Sequence, residues 1–227
     1  MQPDERKSLD QILAELDSEE CLVRGVAIRK LPHNDQAAIA IPRLFELMSD
    51  ENESIASLSR SVIYRLKCCS VPFLLEQLSS EKSEHRARAI DLLTEVGSRR
   101  ATWVRLSKQI LDARSYNLPH WERDPEDVFH LVEQMLNDDS LDVRFEAASL
   151  LEEFGRRLND TISIFIETLS AGMQHQQNWA ALRLGRIGPP AIAAMDALEA
   201  ATHSKHRHTA LAASNALDLI GESQDCS

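Results

Sequence analysis

The chain repeats one helical pattern along most of its length. Four segments align without gaps: 143–155 (VRFEAASLLEEFG), 85–97 (HRARAIDLLTEVG), 176–188 (QQNWAALRLGRIG) and 209–221 (TALAASNALDLIG). Each has Ala at the fifth place, Leu at the ninth, an apolar residue at the twelfth and Gly at the thirteenth. Residues 23–31 match the first nine places, and residues 58–66 are a weaker copy. Repeated units of this size bury their apolar sides against their neighbours, which restricts the possible folds more than composition does.

Places 1, 5, 9 and 12 recur at three- and four-residue steps, so they lie on one face of a helix. The small residue at place 5 lets a neighbouring helix approach closely, and the terminal Gly is expected to adopt the left-handed conformation that ends a helix. A further apolar helix precedes each copy of the pattern, at 9–16, 39–48, 71–78, 128–136, 162–169 and 192–198. The sequence therefore predicts about six helical hairpins.

The spacing of the glycines defines the repeating unit. Gly155, Gly188 and Gly221 are 33 residues apart, a period that also fits ankyrin repeats, but the T-P-L-H motif of ankyrin repeats is absent. Residues 188–221 and 138–155 instead resemble the HEAT-repeat family, in the short form found in bacterial lyase-like HEAT proteins. The resemblance implies an all-α fold, an α-α superhelix or HEAT-like solenoid, as a single domain over residues 1–227.

One interval is longer than the period. Gly97 and Gly155 are 58 residues apart, 25 more than one period. The sequence therefore predicts an insertion at 98–124 between repeats 3 and 4, made of a helix at 101–113 and a loop at 114–124. Insertions in repeat arrays lie on a surface, so a functional element and a packing spacer are both open interpretations.

The net charge of −11 is concentrated in one stretch, since residues 112–167 hold 14 acids and 5 bases. A nucleic-acid-binding face needs the opposite sign, so we expect no nucleic-acid partner. The acidic stretch is explained either by solubility or by docking of a basic protein. The N-terminal sequence MQPDERKSLDQ lacks an apolar signal segment, no apolar run reaches the length of a membrane span, and the four cysteines have no metal spacing. We therefore expect a cytoplasmic protein without membrane contact.

Three arginines, Arg24, Arg86 and Arg144, occupy the second place of their repeats. The HEAT resemblance implies that such an arginine pairs with an aspartate of the preceding turn, in a ladder that joins repeats. The available partners are Asp138, Asp139 and Asp17. A ligand-binding row of arginines is the alternative interpretation.

The sequence contains no recognisable catalytic arrangement. His203, His206 and His208 form an H-x-x-H-x-H run, a spacing that can bind zinc, but the run lies in a polar turn and is interpreted as solvated loop residues. The His-Glu pairs of helical-repeat deoxyhypusine hydroxylases are absent, and so is a Gly-rich phosphate loop. We expect no enzymatic activity, no cofactor and no metal.

In a HEAT-like solenoid the second helix of each hairpin lines the concave side, and places 4, 7 and 11 face outward. These places hold Val26, Arg29, Ser61, Tyr64, Arg88, Asp91, Glu95, Glu146, Ser149, Glu153, Trp179, Leu182 and Arg186. We predict a protein-binding face formed by Arg88, Asp91, Glu95, Glu146, Glu153, Trp179, Leu182 and Arg186. Aromatic residues and arginine dominate interface energetics, so Trp179 is the predicted anchor. The alternative is that Trp179 packs on the next repeat.

The predicted function is thus a non-catalytic scaffold or adaptor for a protein partner, for which the charge favours a basic one. A bilin lyase-like HEAT protein is an alternative. An alkylpurine DNA glycosylase-like HEAT enzyme is a second, with Trp103, Trp121 and Trp179 as stacking aromatics, but the acidic charge opposes it. The oligomeric state is left open.

Overall fold

The computed structural model describes residues 7–97 and 125–221, and all regular secondary structure in these two ranges is helical. The α-helices are α1 (Leu9–Glu15), α2 (Cys21–Lys30), α3 (Ile41–Leu47), α4 (Glu53–Leu66), α5 (Val71–Gln77), α6 (Ser83–Gly97), α7 (Pro125–Gln134), α8 (Leu141–Glu153), α9 (Leu158–Ala171), α10 (Gln174–Ile187), α11 (Met195–Thr202) and α12 (Arg207–Gly221). Short 3₁₀ turns lie at Asp35–Ala40, Lys67–Ser70, Met135–Asn137 and Pro189–Ala194. Among the described residues no helix combines the length and the hydropathy that crossing a membrane requires.

The twelve described helices alternate along the chain between first and second helices of hairpins, as predicted. The second helices are α2, α4, α6, α8, α10 and α12, and they coincide with the six copies of the repeat. Two first helices begin later than predicted, because the 3₁₀ turns Asp35–Ala40 and Pro189–Ala194 precede α3 and α11. At Pro189 and Pro190 the missing N–H groups disfavour continuous α-helix, and the chain takes the tighter turn.

Contacts between residues divide the chain into two compact units. Within the described ranges, the first unit comprises residues 7–76 and the second comprises 77–97 and 125–221. A single solenoid over 1–227 stays a prediction. The predicted insertion at 98–124, with Trp103 and Trp121, lies outside the described residues.

In the first unit, α1 packs on α2, α3 packs on α4, and the second helices α2 and α4 pack on each other. The Phe45 and Phe73 rings meet edge to face, with centroids 5.3 Å apart. Ser8 caps α1 by accepting a hydrogen bond from the N–H of Gln11, whose side chain accepts one from the N–H of Ser8.

In the second unit each hairpin packs on its neighbours along the chain. Helix α8 packs against α6 and α9, α10 packs against α9 and α12, and α11 packs against α12. Edge-to-face ring pairs join hairpin partners and successive hairpins: Phe129 with Phe154 at 4.9 Å, and Phe145 with Phe165 at 5.9 Å.

The predicted core face of the repeat is confirmed. All six residues at place 5 are buried: Ala27, Val62, Ala89, Ala147, Ala180 and Ala213. The leucines at place 9 are buried in five copies, and Leu217 in the last copy is half-buried. The small side chains at place 5 leave room for the neighbouring helix, while the leucines fill the space between helices.

The prediction that the terminal glycines are left-handed holds for two of them. Gly155 has φ of 66° and Gly188 has φ of 71° with ψ of −141°. It is wrong for Gly221, which is the last residue of α12 and has no positive φ, since the described chain makes no turn there. The conformation of Gly188 is essentially confined to glycine, because a Cβ atom would clash with the backbone.

Gly188→Ala should lower the free energy of unfolding by about 1–3 kcal/mol, because alanine is strained at this φ and ψ. Gly221→Ala is the matched control: a Cβ there meets nothing within 4 Å and the φ is ordinary, so the change should stay within about 0.5 kcal/mol. Urea unfolding followed by far-UV circular dichroism measures both. Equal stabilities of the two variants would contradict the assignment of strain to Gly188.

Candidate binding face

The arginines at place 2 form the predicted ladder between hairpins. In each case Nη1 donates to two carbonyl oxygens of the turn that precedes the arginine's own helix. The distances are 2.7 and 2.8 Å from Arg24 to Ser18 and Glu19, 2.8 and 3.1 Å from Arg86 to Ser80 and Glu81, and 2.8 and 3.2 Å from Arg144 to Asp138 and Asp139. These carbonyls follow the end of a first helix, where the backbone has lost its helical partners.

The carboxylate partners of the ladder lie in the next hairpin, not in the preceding turn. Arg24 donates from Nη2 to Asp50 at 2.9 Å. Arg86 donates from Nε and Nη2 to the two oxygens of Asp138, at 2.7 and 2.8 Å. The predicted role of Asp138 is thus right, but it serves Arg86 of the previous repeat.

The remaining predicted partners behave differently. Arg144 pairs with Glu167 of α9, and Asp17 pairs with Arg43. The side chains of Arg24 and Arg86 are only 14% and 16% exposed. The arginines therefore join neighbouring hairpins and are largely shielded from solvent, which disfavours the alternative of a ligand-binding row.

Both ladder aspartates are poised to remain ionised. Burial alone would raise the pKa of the Asp138 carboxyl, but hydrogen bonds from Arg86 and from the N–H of Ser140, together with the charges of Arg86 and Arg144, hold it below its ordinary value. Burial would likewise raise the pKa of the Asp50 carboxyl. Hydrogen bonds from Arg24 and from the N–H of Asn52 outweigh this effect and hold the pKa below its ordinary value. The folded protein therefore binds protons at these groups less readily than the unfolded chain.

A second polar cluster connects α8 to α10. Arg183 donates from Nη1 to Glu152 at 2.9 Å and to the carbonyl of Ser149 at 3.1 Å, and its Nη2 lies 3.6 Å from Glu153. Arg186 also donates to Glu152, with Nε at 3.1 Å from Oε1. Glu152 is only 7% exposed, so its charge is compensated by two guanidinium groups.

Near the start of the same two helices, Gln176 donates to Asp142 at 2.8 Å and its side-chain oxygen accepts the N–H of Met173 at 2.9 Å. Helices α8 and α10 are thus bridged by long side chains along their length. The partner of Asp142 in this bridge is a neutral amide.

Helix α10 meets α12 in a different way, through small residues. A Cβ atom at Gly185 would lie 3.0 Å from the Cα of Ala216 and 3.4 Å from Cδ1 of Leu219. Only glycine permits this approach of the two backbones without a shift. The close contact fixes Leu219 beside the part of α10 that holds Leu182 and Arg186.

We call the surface formed by places 4, 7 and 11 of α6, α8, α10 and α12 the second-helix face. Its residues are Arg88, Asp91, Glu95, Glu146, Ser149, Glu153, Trp179, Leu182, Arg186, Ala212, Asn215 and Leu219. On α10 the three predicted site residues are exposed, with Trp179 at 53% and Leu182 at 43%. The five predicted on α6 and α8 are half-buried. In the first unit, Val26, Arg29, Ser61 and Tyr64 are exposed as predicted.

One outward-facing prediction is wrong. Ser149 is 2% exposed, because Arg183 reaches across from α10 and bonds to its carbonyl oxygen. The helical period places Ser149 on the correct side of α8, but a long side chain of the neighbouring helix covers it.

The sequence reasoning missed Leu219, which is 52% exposed at place 11 of α12. It occupies place 11, as Arg186 does one repeat earlier. Extending the outward-facing places 4, 7 and 11 to the last copy of the repeat would therefore have identified it. Trp179 and Leu182 lie one turn apart on α10, and Leu219 lies beside Gly185 of the same helix; we call these three exposed residues the apolar site. Its role in binding stays a prediction.

The three histidines of the H-x-x-H-x-H run, His203, His206 and His208, are exposed around the turn that leads into α12. Within the described ranges, no three or more His, Cys, Asp or Glu side chains are grouped so that they could hold a metal ion.

The fold defines a helical-repeat protein of the armadillo/HEAT type, which confirms the predicted fold class. A computationally designed armadillo repeat protein for modular peptide recognition has a TM-score of 0.52 at 14% sequence identity, over 94% of this chain and 100% of that chain. A designed armadillo repeat protein in complex with the peptide (KR)4 has a TM-score of 0.52 at 15% identity, over 95% of this chain and 100% of that chain. At these identities the likeness establishes the fold alone.

The complex of CpcE and CpcF of phycocyanin lyase from Nostoc sp. PCC7120 is a more distant match, with a TM-score of 0.34 at 17% identity over 94% of this chain and 95% of that chain. No family model matches the chain, and no curated protein sequence matches it.

The ladder predicts a specific pH dependence of stability. Asp138→Asn should lower the free energy of unfolding at pH 7 by about 1–3 kcal/mol, because it leaves Arg86 half-buried without its charged partner. A carboxyl with a lowered folded pKa contributes stability above its unfolded pKa and loses it as pH falls through the folded pKa. The difference between wild type and Asp138→Asn should therefore shrink below about pH 4.

Asp160→Asn provides the control for this experiment, because Asp160 pairs with Arg157 on the surface, where both side chains are about half exposed. That substitution should change stability by less than about 0.5 kcal/mol at any pH. Urea unfolding at pH 7, 4 and 3 measures both variants. If Asp138→Asn costs no more than Asp160→Asn, the ladder does not hold the hairpins together.

Proposed function

We propose that the chain is a non-catalytic binding protein whose second-helix face, in the second unit, binds a segment of a partner protein. The observation that carries this proposal is the apolar site on α10 and α12. Trp179, Leu182 and Leu219 are 53%, 43% and 52% exposed on helices whose opposite sides are packed into the core. A single exposed leucine is ordinary, whereas an exposed tryptophan with an exposed leucine one turn away on the same helix is typical of an interaction surface.

The surroundings of the apolar site favour binding by a preformed surface. The contact of Gly185 with Ala216 holds α10 against α12, and Arg183 and Arg186 hold α10 to Glu152 of α8. The tryptophan is therefore carried by a helix that is fixed on both sides. A preformed anchor loses little conformational entropy on binding, which increases affinity.

Arg186, one of the predicted partner-binding residues, also makes a contact within the protein. Its guanidinium bonds to Glu152, and this bond raises the pKa of Arg186 above its ordinary value. We propose that Arg186 positions α10 and borders the apolar site, while Trp179 and Leu182 contact the partner.

The charge of the second unit supports a protein partner over a nucleic acid. Its described residues include 18 Asp and Glu against 10 Lys and Arg. Phosphate groups would be repelled by such a surface, and a basic segment would be attracted. The fold is compatible with this choice, since a designed armadillo repeat protein of the same fold is in complex with the peptide (KR)4.

We further propose that the protein works without a catalytic centre, in a cytoplasmic setting. Glu152, Asp138 and Asp50 pair with arginine while their own side chains are less than a tenth exposed, and each joins helices. Because these carboxylates are engaged in structural ion pairs, they are not placed to exchange protons with a substrate.

Trp179→Ala should weaken capture of the native partner by at least about 30-fold, as expected for the anchor of an interface. Because Trp179 is more than half exposed, the free energy of unfolding should change by less than about 1 kcal/mol. The measurement is quantitative mass spectrometry of proteins retained from the native cell extract by immobilised wild type and variant, with thermal melting by circular dichroism alongside.

Leu211→Ala is the matched control, since Leu211 is a 59% exposed leucine on α12 that lies at place 3, off the second-helix face. It should retain the partner. A large loss of stability in Trp179→Ala would mean that Trp179 belongs to the core. Salt-sensitive retention of duplex DNA, or visible absorbance from a bound bilin, would replace this proposal with one of the enzymatic alternatives.

A further inference from the structure

We infer that two copies of the chain associate through helix α12, with the two α12 helices side by side and antiparallel. The contact uses four exposed side chains that we call the α12 stripe: Arg207, Leu211, Ser214 and Asp218. None of them belongs to the second-helix face, so this association is independent of the proposed function.

The α12 stripe lies on the side of the helix that is opposite to the core. Its members follow one another at steps of four, three and four residues. With 3.6 residues per turn these steps keep the side chains in one line, over about 17 Å of the helix axis. The buried residues of α12, from Thr209 to Ile220, lie on the other side and pack against α10 and α11. The stripe is therefore the outermost line of this helix.

The two charges of the stripe have no partner within the described part of the chain. Neither Arg207 nor Asp218 forms an ion pair or a side-chain hydrogen bond in residues 7–97 and 125–221. Each also lies at the end of α12 that disfavours its charge. Arg207 is the first residue of the helix, where the helix dipole is positive, and Asp218 is in the last turn, where it is negative. Each charge would therefore be stabilised by an opposite charge from outside.

An antiparallel second α12 supplies those opposite charges. If the two-fold axis passes between residues 212 and 213, Arg207 of each copy faces Asp218 of the other copy. Each Asp218 then also lies beside the positive end of the other helix, and each Arg207 beside the negative end. A parallel arrangement would place like charges together at both ends, so the charges select the antiparallel one.

The centre of the stripe provides the apolar contact. Leu211 is 59% exposed, and in the antiparallel pair it faces Ser214 of the other copy. The small serine lets the helices approach closely. The two leucines lie about 5 Å apart along the axis, on either side of the two-fold axis, and can pack on each other. One pair of helices is a small interface, so the association is reversible and depends on concentration.

A second copy fits the stripe better than a foreign segment of uniform charge. A basic segment would match Asp218 and be repelled by Arg207, and an acidic segment would do the reverse. The order base, leucine, small residue, acid reads as its own complement when the direction of the helix is reversed. That property of the stripe identifies a second α12 as its occupant.

The first test is analytical ultracentrifugation of the full chain at about 1–200 µM protein, at about 50 and 500 mM NaCl. The mass should rise with concentration from 25.5 kDa toward twice that value, and the association should be weaker at high salt. A mass that stays at one chain over the whole range would overturn the inference and leave the proposed function standing.

Charge reversal tests the arrangement itself. Arg207→Glu or Asp218→Arg alone should weaken the association by at least about 10-fold, because like charges then meet at both ends. The double variant, and an equimolar mixture of the two single variants, should associate to within about 3-fold of wild type, since opposite charges face each other again. Each reversal favours its own end of α12, so melting followed by circular dichroism should show no loss of stability.

Two further variants separate this surface from others. Glu51→Arg, a reversal of an exposed acid in the turn before α4, is the matched control for Asp218→Arg and should leave the association unchanged. Leu211→Ala should weaken it by at least about 5-fold at both salt concentrations, because the apolar contact is insensitive to salt. Trp179→Ala should associate as wild type does.

Several results would show that a dimer forms through a different surface and would overturn the inference. They are a double variant that does not recover, a Leu211→Ala variant that associates like wild type, and a Trp179→Ala variant that stays a single chain. Capture of the partner by immobilised protein depends on Trp179 and not on the α12 stripe, so the two proposals fail separately.

Discussion

Close packing of neighbouring hairpins within each unit is the constraint on which the rest of this structure depends. A two-helix hairpin cannot bury its apolar side alone, so each second helix must pack against another second helix. Place 5 is therefore buried in every copy, as at Ala27 and Ala213. The ladder arginines reach a turn at which one hairpin meets the next. There a single guanidinium satisfies carbonyl groups of its own turn and a carboxylate of the following hairpin, as Arg86 does with Ser80 and Asp138.

The second unit joins its second helices in two ways, and the difference bears on binding. Between α10 and α12, the small residues Gly185 and Ala216 let the two backbones approach closely. Between α8 and α10, Arg183, Arg186 and Gln176 span the interface to reach Glu152 and Asp142. The apolar site lies on the tightly packed side and the carboxylates lie on the bridged side.

The acidic character of the chain has more than one physical meaning. Asp50, Asp138 and Glu152 are held by arginine in nearly buried pairs, and these carboxylates are structural. Other acids, such as Asp196 and Glu199 on α11, are exposed and contribute to the potential of the surface. The local excess of negative charge in the sequence combines both groups, so it overstates the charge offered to a partner.

The periodicity of the sequence was sufficient to predict the hairpins, the buried face of each second helix and the turn at Gly188, because these follow from local helical geometry. The arginine ladder was expected only from the resemblance to HEAT repeats. Tertiary structure alone decided which carboxylate each arginine binds. Asp138 is 52 residues from Arg86, and only packing brings the two together. Tertiary structure also decided the burial of Ser149: the helical period directs it outward, but Arg183 of α10 covers it. It likewise placed Leu219 beside α10, at the contact with Gly185. A helical period specifies the direction of a side chain, whereas its burial depends on the length and shape of the side chains that the neighbouring helix presents.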